Sequence, residues 1–171
     1  MNLDFPVNAD KHEVFKSIEK YLSSLSLSSV AKDFDRPWGG FFVIDEKQAK
    51  EFAAMFFPDR EFSSIQLNRK LSPKILIVQP NKRLSWQYHH RRSEIWKVIG
   101  GIAGVVTSET DAEGPLQKLA VNNVIELKQG QRHRLVGLDT WGIIAEIWQH
   151  TNPEQPSDEN DIVRLQDDFG R

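Results

Sequence analysis

Val14, Ile18, Tyr21, Leu22 and Leu25 fall three and four residues apart, the spacing that lines one face of an α-helix. Asp10 with Glu13 three residues later forms a capping-box-like start. The serine-rich stretch 23–29 weakens the end of this helix and leads into a linker. A second helix is predicted from Glu46 to Phe57, opened by Asp45 and stopped at Pro58, because the residue before a proline is pushed out of the helical region. The polar stretch from Asp59 to Ser72 reads as loop. From Lys74 onward the pattern changes to short β-branched and aromatic runs: Ile75–Val78, Arg83–His89, Ile95–Ile99, Ile102–Thr107, Leu116–Val121, Val124–Leu127 and Gly142–Trp148. Pro80-Asn81, Gly100-Gly101, Glu113-Gly114-Pro115, Asn122-Asn123 and Gln129-Gly130 punctuate them. Strands of this length and spacing predict a mainly β protein, an antiparallel sandwich or jelly-roll barrel.

Composition narrows the function classes. A chain of 171 residues fits one domain that buries roughly 70% of its unfolded surface, so no staples are needed. A net charge of −2 offers no basic field for phosphate backbones, which argues against nucleic acid. With no cysteine, disulfides, thiolate zinc sites and cysteine nucleophiles are excluded. Any metal must therefore be held by nitrogen and oxygen. The start Met1-Asn2-Leu3-Asp4-Phe5-Pro6 has no signal-peptide character, and no run approaches the ~20 apolar residues of a membrane span. The cytoplasm is the expected compartment.

Candidate chemistry concentrates in Leu84 to Trp96. Alternation along a strand points Gln87 and His89 to one face and Tyr88 to the other. A four-residue turn from His90 to Ser93 then returns Glu94 on the next strand. A second imidazole follows in Gly130-Gln131-Arg132-His133. Burying Glu94 without a partner would cost several kcal/mol, and a cation offsets that. Gln87, His89, Glu94 and His133 are therefore the candidate ligands of one divalent metal. Zinc suits two imidazoles and two oxygens, as do iron, manganese, cobalt and nickel. The plainer alternative is a structural polar cluster.

The pattern His-x4-Glu-x6-Gly ending at Gly101, with Gly130-x2-His133 downstream, resembles the two motifs of the cupin superfamily. Leu84 to Trp96 resembles the Leu-Ser-x-Gln-x-His-x-x-Arg-x-Glu-x-Trp signature of the type II mannose-6-phosphate isomerase (phosphomannose isomerase) cupin domain. That domain is the C-terminal half of bifunctional isomerase/guanylyltransferases. Arg36-Pro37-Trp38-Gly39, His133-Arg134-Leu135 and the closing Asp161-Ile162-Val163-Arg164 to Phe169-Gly170-Arg171 resemble further motifs of the same family, in order. Residues 1–35 carry no glycine-rich nucleotide loop, so the guanylyltransferase half is not expected here. Arg91 stands where the family usually has another histidine, Lys128 replaces a proline, and Gly137 replaces an asparagine. Residues 47–72 resemble an insertion.

The resemblance implies a cupin-type double-stranded β-helix over residues 36–171, preceded by an N-terminal helical extension over 1–35 and interrupted by a helical insertion at about 46–72. It implies a metal-dependent aldose–ketose isomerase converting mannose 6-phosphate to fructose 6-phosphate, built as a homodimer. Arg92, kept in the signature, is the candidate catalytic-site residue; the competing reading is an ion pair with a nearby carboxylate. Lys74 and Arg134 are candidates for holding the sugar phosphate, although alternation directs Arg134 away from His133. Trp38, Trp86, Trp96 and Trp148 line a sugar pocket or fill the barrel core. Two other functions remain open: a non-catalytic sugar-binding or regulatory cupin, and a metal-dependent cupin oxygenase.

Overall fold

A computed structural model describes residues 3–59 and 69–170. The first helix, α1 (Lys11–Ser24), begins where expected, with the Asp10 side chain accepting from the Glu13 N–H at 3.1 Å. It buries Val14, Phe15, Ile18 and Leu22. The predicted second helix splits into a 3-10 turn (Glu46–Gln48) and α2 (Ala49–Phe56), with Asp45 accepting from Lys47 N. Part of the loop expected over Asp59 to Ser72 falls at residues 60–68, outside the described residues.

Eleven strands make up the rest of the described residues. They are β1 (Ser29–Asp33), β2 (Gly39–Ile44), β3 (Lys74–Val78), β4 (Trp86–Tyr88), β5 (Arg92–Gly100), β6 (Ala103–Ser108), β7 (Leu116–Leu119), β8 (Val124–Leu127), β9 (Arg132–Gly137), β10 (Gly142–His150) and β11 (Val163–Gln166). One sheet runs β1-β2-β3-β10-β5-β8 and the other β11-β4-β9-β6-β7, with every named pair antiparallel. The expected jelly roll is present.

The larger sheet is apolar on both faces, and that explains its continuous hydrophobic runs. Leu76, Val78, Trp96, Val98 and Ile144 face the second sheet and pack with Ala103, Val105 and Leu135. The alternate residues Ile75, Ile77, Ile95, Ile143, Ala145 and Ile147 face outward against Phe15, Ile18 and Leu22 of α1 and Phe52 and Phe56 of α2. A strand covered on both sides has no polar face to show, so β3 and β10 read as unbroken apolar segments rather than alternating ones.

Four strands were not predicted by the hydrophobic pattern. β1 and β11 are edge strands with mostly exposed residues, so no inward row of apolar side chains betrays them. β2 opens on Gly39-Gly40, and β9 interleaves charge with its core residues as Arg132-His133-Arg134-Leu135. The segment expected as linker at Ser29 instead enters β1 and pairs with β2. Gly39 is needed at its place. Its φ is +142°, and a Cβ there would sit 1.9 Å from the Ile77 carbonyl oxygen, so only glycine lets β2 cross this close to β3. No described helix is long and apolar enough to cross a membrane.

Candidate metal centre

β4, β5 and β9 bring the predicted ligands together. Gln87 and His133 are direct partners across β4 and β9, so both face the barrel interior. The turn after β4 reverses the chain and sets Glu94 two residues into β5. His89, Glu94 and His133 are all buried, and their ligand atoms lie within 4.8 Å of one another. Gln87 Oε1 accepts from Ser85 Oγ at 2.5 Å and shares a cavity wall with Glu94.

The imidazoles are oriented for coordination. His89 Nδ1 meets the Asp161 carbonyl oxygen at 2.6 Å, and His133 Nδ1 meets that of Gln131 at 3.0 Å. A carbonyl only accepts, so both Nδ1 atoms carry the proton, and Nε2 is the coordinating atom. These Nε2 atoms face Glu94, His89 to Oε1 at 3.1 Å and His133 to Oε2 at 3.5 Å. His133 Nε2 has no hydrogen-bond partner. Arg92 meets the His89 nitrogen, whereas the unpartnered His133 nitrogen and the carboxylate it faces repel unless positive charge lies between them. The donor set therefore fits a divalent ion.

Arg92 occupies the edge of this group. Its Nε donates to Glu94 Oε1 at 2.7 Å and Nη2 to His89 Nε2 at 3.1 Å, while Nη1 reaches Ser157 Oγ and the Asp158 carbonyl. The guanidinium also stacks 3.6 Å from the centroid of Trp148. Burial pushes the Glu94 carboxyl up, but the charges of His89 and Arg92 and the imidazole hydrogen bonds outweigh it, holding Glu94 well below the usual carboxylate range.

The tail supports the ligands from behind. Asp161 accepts from His90 N at 3.0 Å, Arg91 N at 2.9 Å and Ser157 Oγ at 2.6 Å. One residue thus pins the ligand-bearing turn with its carboxylate and orients His89 with its carbonyl. Arg91, the family departure, turns outward toward the Pro156 carbonyl and Asp158 and does not line the cavity. The sequence signal for Asp161 was its place in the closing motif. Nothing local marked its partners.

Next to the cluster lies a cavity of about 470 Å³, within the range of small-molecule pockets. Its walls include Arg36, Trp38, Lys74, Gln87, Arg92, Glu94, Trp96, Glu146, Trp148 and Arg164. Lys74 ion-pairs with Glu159 and sits 4.0 Å above Trp148. Arg134, expected at the phosphate, is not brought there. It projects to the opposite side of β9, where it is fully buried against Glu113 and Gln166. Strand alternation from inward-facing His133 dictates that.

Glu146 is a functional candidate that sequence reasoning missed. It is buried in β10, opposite Lys74 of β3 and Trp96 of β5. Burial, then the charge of Glu94, push its carboxyl up to about 8, against Lys74, Arg92 and the Trp96 N–H.

His150, at the end of the same strand, carries a pH prediction. Its Nδ1 accepts from Ser157 N at 2.8 Å. Burial, then the charges of Lys70, Arg92 and Arg91, lower its pKa to about 4. The unfolded chain then binds more protons than the folded one between about pH 6.5 and 4. Stability from this group is complete above that window and is lost as pH falls through it, with a slope of at most about 1.4 kcal/mol per pH unit. Urea unfolding across that range, with the imidazole followed by NMR, checks it; a folded-state midpoint near 6.5 would contradict it.

The family description "Mannose-6-phosphate isomerase C-terminal" matches residues 45–167. The chain belongs to this family. Over 168 residues it is 25% identical to Mannose-1-phosphate guanylyltransferase ManC of Salmonella typhimurium, covering 95% of this chain and 29% of that protein. It is 27% identical over 142 residues to Alginate biosynthesis protein AlgA of Pseudomonas aeruginosa, covering 83% of this chain and 26% of that protein. The chain thus spans less than a third of these curated relatives' length. Among solved structures, the capsular polysaccharide assembling protein CapF of Staphylococcus aureus matches 82% of this chain and 34% of its own, with TM-score 0.51 and 15% identity. That likeness is one of fold alone.

Proposed function

We propose that this family member is a metal-dependent aldose–ketose isomerase that interconverts mannose 6-phosphate and fructose 6-phosphate. The observation that carries the reading is the convergence of two Nε2 atoms on the Glu94 carboxylate at the wall of a polar cavity. Gln87, His89, Glu94 and His133 would hold one divalent ion, with zinc the first choice among zinc, iron, manganese, cobalt and nickel. Such an ion supplies Lewis-acid stabilisation of negative charge on sugar oxygens.

The protein's own residues do the remaining work. Arg92 orients the Glu94 carboxylate and His89, and contributes positive charge to the catalytic site. The rings of Trp38 and Trp148 line the cavity and offer it aromatic surface against which a sugar ring packs. Lys74 binds the phosphate, which replaces Glu159 as its partner. Arg36, Lys74, Arg92 and Arg164 place positive charge on the cavity wall beside the carboxylates of Glu94, Glu146 and Glu159, and a sugar phosphate can draw on it. The chain would work as a cytoplasmic homodimer with no nucleic-acid or membrane partner.

Metal analysis of the purified protein, followed by a mannose 6-phosphate to fructose 6-phosphate assay with added divalent ions, tests the reading. Metal binding without turnover would refute it in favour of a sugar-binding cupin. Lys74→Met should raise KM for the sugar phosphate roughly tenfold or more, because a charge-assisted hydrogen bond is worth about 1.5–3 kcal/mol. Binding of unphosphorylated mannose should not change, and equal losses for both sugars would remove Lys74 from the phosphate site.

A further inference from the structure

We propose that Glu146 carries the proton between C2 and C1 of the sugar in the isomerisation, an inference that rests on the function proposed above. Enolisation at a sugar carbon needs a base that touches the ligand, is shielded from water and is not already bound to the metal. Among the described residues, three carboxylates line the cavity: Glu94, Glu146 and Glu159. Glu94 belongs to the metal group. Glu159 is largely exposed and pairs with Lys74. Glu146 alone is both buried and outside the ligand set.

Its position is anchored as well as enclosed. β10 lies in the middle of the larger sheet, so the backbone that carries Glu146 is bonded on both sides, to β3 and β5. The Trp96 indole N–H donates to Glu146 Oε1 at 2.9 Å and reaches Glu94 Oε2 at 3.1 Å. A single N–H therefore fixes the base relative to the metal group, and with it relative to any sugar oxygens held there.

The step balances within the sugar. Glu146 as carboxylate removes the C2 proton, the C2–H electron pair forms the C1–C2 double bond, and the C1 carbonyl pair moves to O1. The O2 proton passes to O1, the freed O2 pair forms the C2 carbonyl, and the double-bond pair moves to C1 and takes the proton back from Glu146. One C–H has moved from C2 to C1 and one O–H from O2 to O1, with no external oxidant or reductant.

The test is Glu146→Gln in the full chain, loaded with the metal that best supports wild-type turnover. Glutamine keeps an acceptor for Trp96 but cannot take the proton. The expected result is metal affinity, melting temperature and KM close to wild type, kcat lower by about 100- to 10,000-fold, and loss of the C2 hydrogen exchange that wild type catalyses in deuterated water. A variant that retains kcat and exchange overturns the inference while leaving the isomerase reading intact. Should Glu146→Gln fail to fold or to load metal, Glu146→Asp is measured loaded. Lower kcat at an unchanged KM supports the proposal, and wild-type kcat overturns it. Metal-loaded wild type without turnover would overturn the isomerase reading and this inference together.

Discussion

Replacing His133 with alanine is expected to weaken divalent-metal affinity by at least about 100-fold, more than the 10- to 100-fold typical of losing an outer-shell partner. The reason lies in the geometry of its ring. Its Nδ1 is committed to the Gln131 carbonyl, and its Nε2 has no partner except the Glu94 oxygen it faces. Removing it deletes one of two nitrogen donors and opens a small void beside Trp96, whose ring centroid is 5.6 Å away. The stabilisation that saturating metal adds, about 2.7 kcal/mol at a hundred times Kd, should vanish with it. Calorimetric titration and metal-dependent melting measure both effects, with His12→Ala, an exposed site on α1, as the control. Wild-type affinity in the His133 variant would remove this cluster as the metal site.

Arg92→Met should destabilise the metal-free protein by about 3–5 kcal/mol, the cost of breaking a buried ion pair from one side. Arg92 and Glu94 are both buried, so the carboxylate left behind loses its guanidinium partner in a poorly solvated place. Methionine keeps the packing against Trp148 but none of the hydrogen bonds. Metal loading should shrink the loss, because a bound cation compensates Glu94 in place of Arg92. Urea unfolding of both proteins with and without metal gives the comparison. The same loss in both states would mean that Glu94 does not serve as a ligand. The variant also loses the links to Ser157 and the Asp158 carbonyl, so proteolysis within 151–162 should speed up.

The ion-pair reading of Arg92 is met in the structure, and the same guanidinium lines the cavity, where the catalytic reading would need it. One guanidinium is long enough to reach a carboxylate, an imidazole and the tail while still lining the cavity. Sequence could pose that choice but not resolve it, since Ser157 and Asp158 lie more than sixty residues away. Lys74 and Arg134 illustrate the same limit in opposite directions. Both are basic residues on core strands, yet only Lys74 lines the cavity, and Arg134 is spent on Glu113 and Gln166. The parity argument already pointed Arg134 away from His133, and the packed barrel follows it.

Some elements were legible because their cause is local. The caps and apolar stripe of α1, the β-rich pattern after Lys74 and the shared face of Gln87 and His89 follow from periodicity within a few residues. The edge strands β1 and β11 were not, because an exposed edge needs no apolar row. Glu146 was hidden for the converse reason: it sits in an otherwise apolar strand, where a lone charge reads as an interruption rather than as a group facing a cavity.

By itself, the sequence determined that any metal here must be bound through nitrogen and oxygen, and that His89 and Glu94 flank one strand-to-strand turn. Its motifs also pointed to the family. Tertiary structure alone decided that Asp161 would lock that turn from seventy residues away, that Glu146 would be buried beside the metal group, and that Arg91 would face the tail. The division has a physical origin. Alternation and capping are set by bonds between near neighbours, whereas burial, desolvation and the pairing of charges depend on which strands close the barrel.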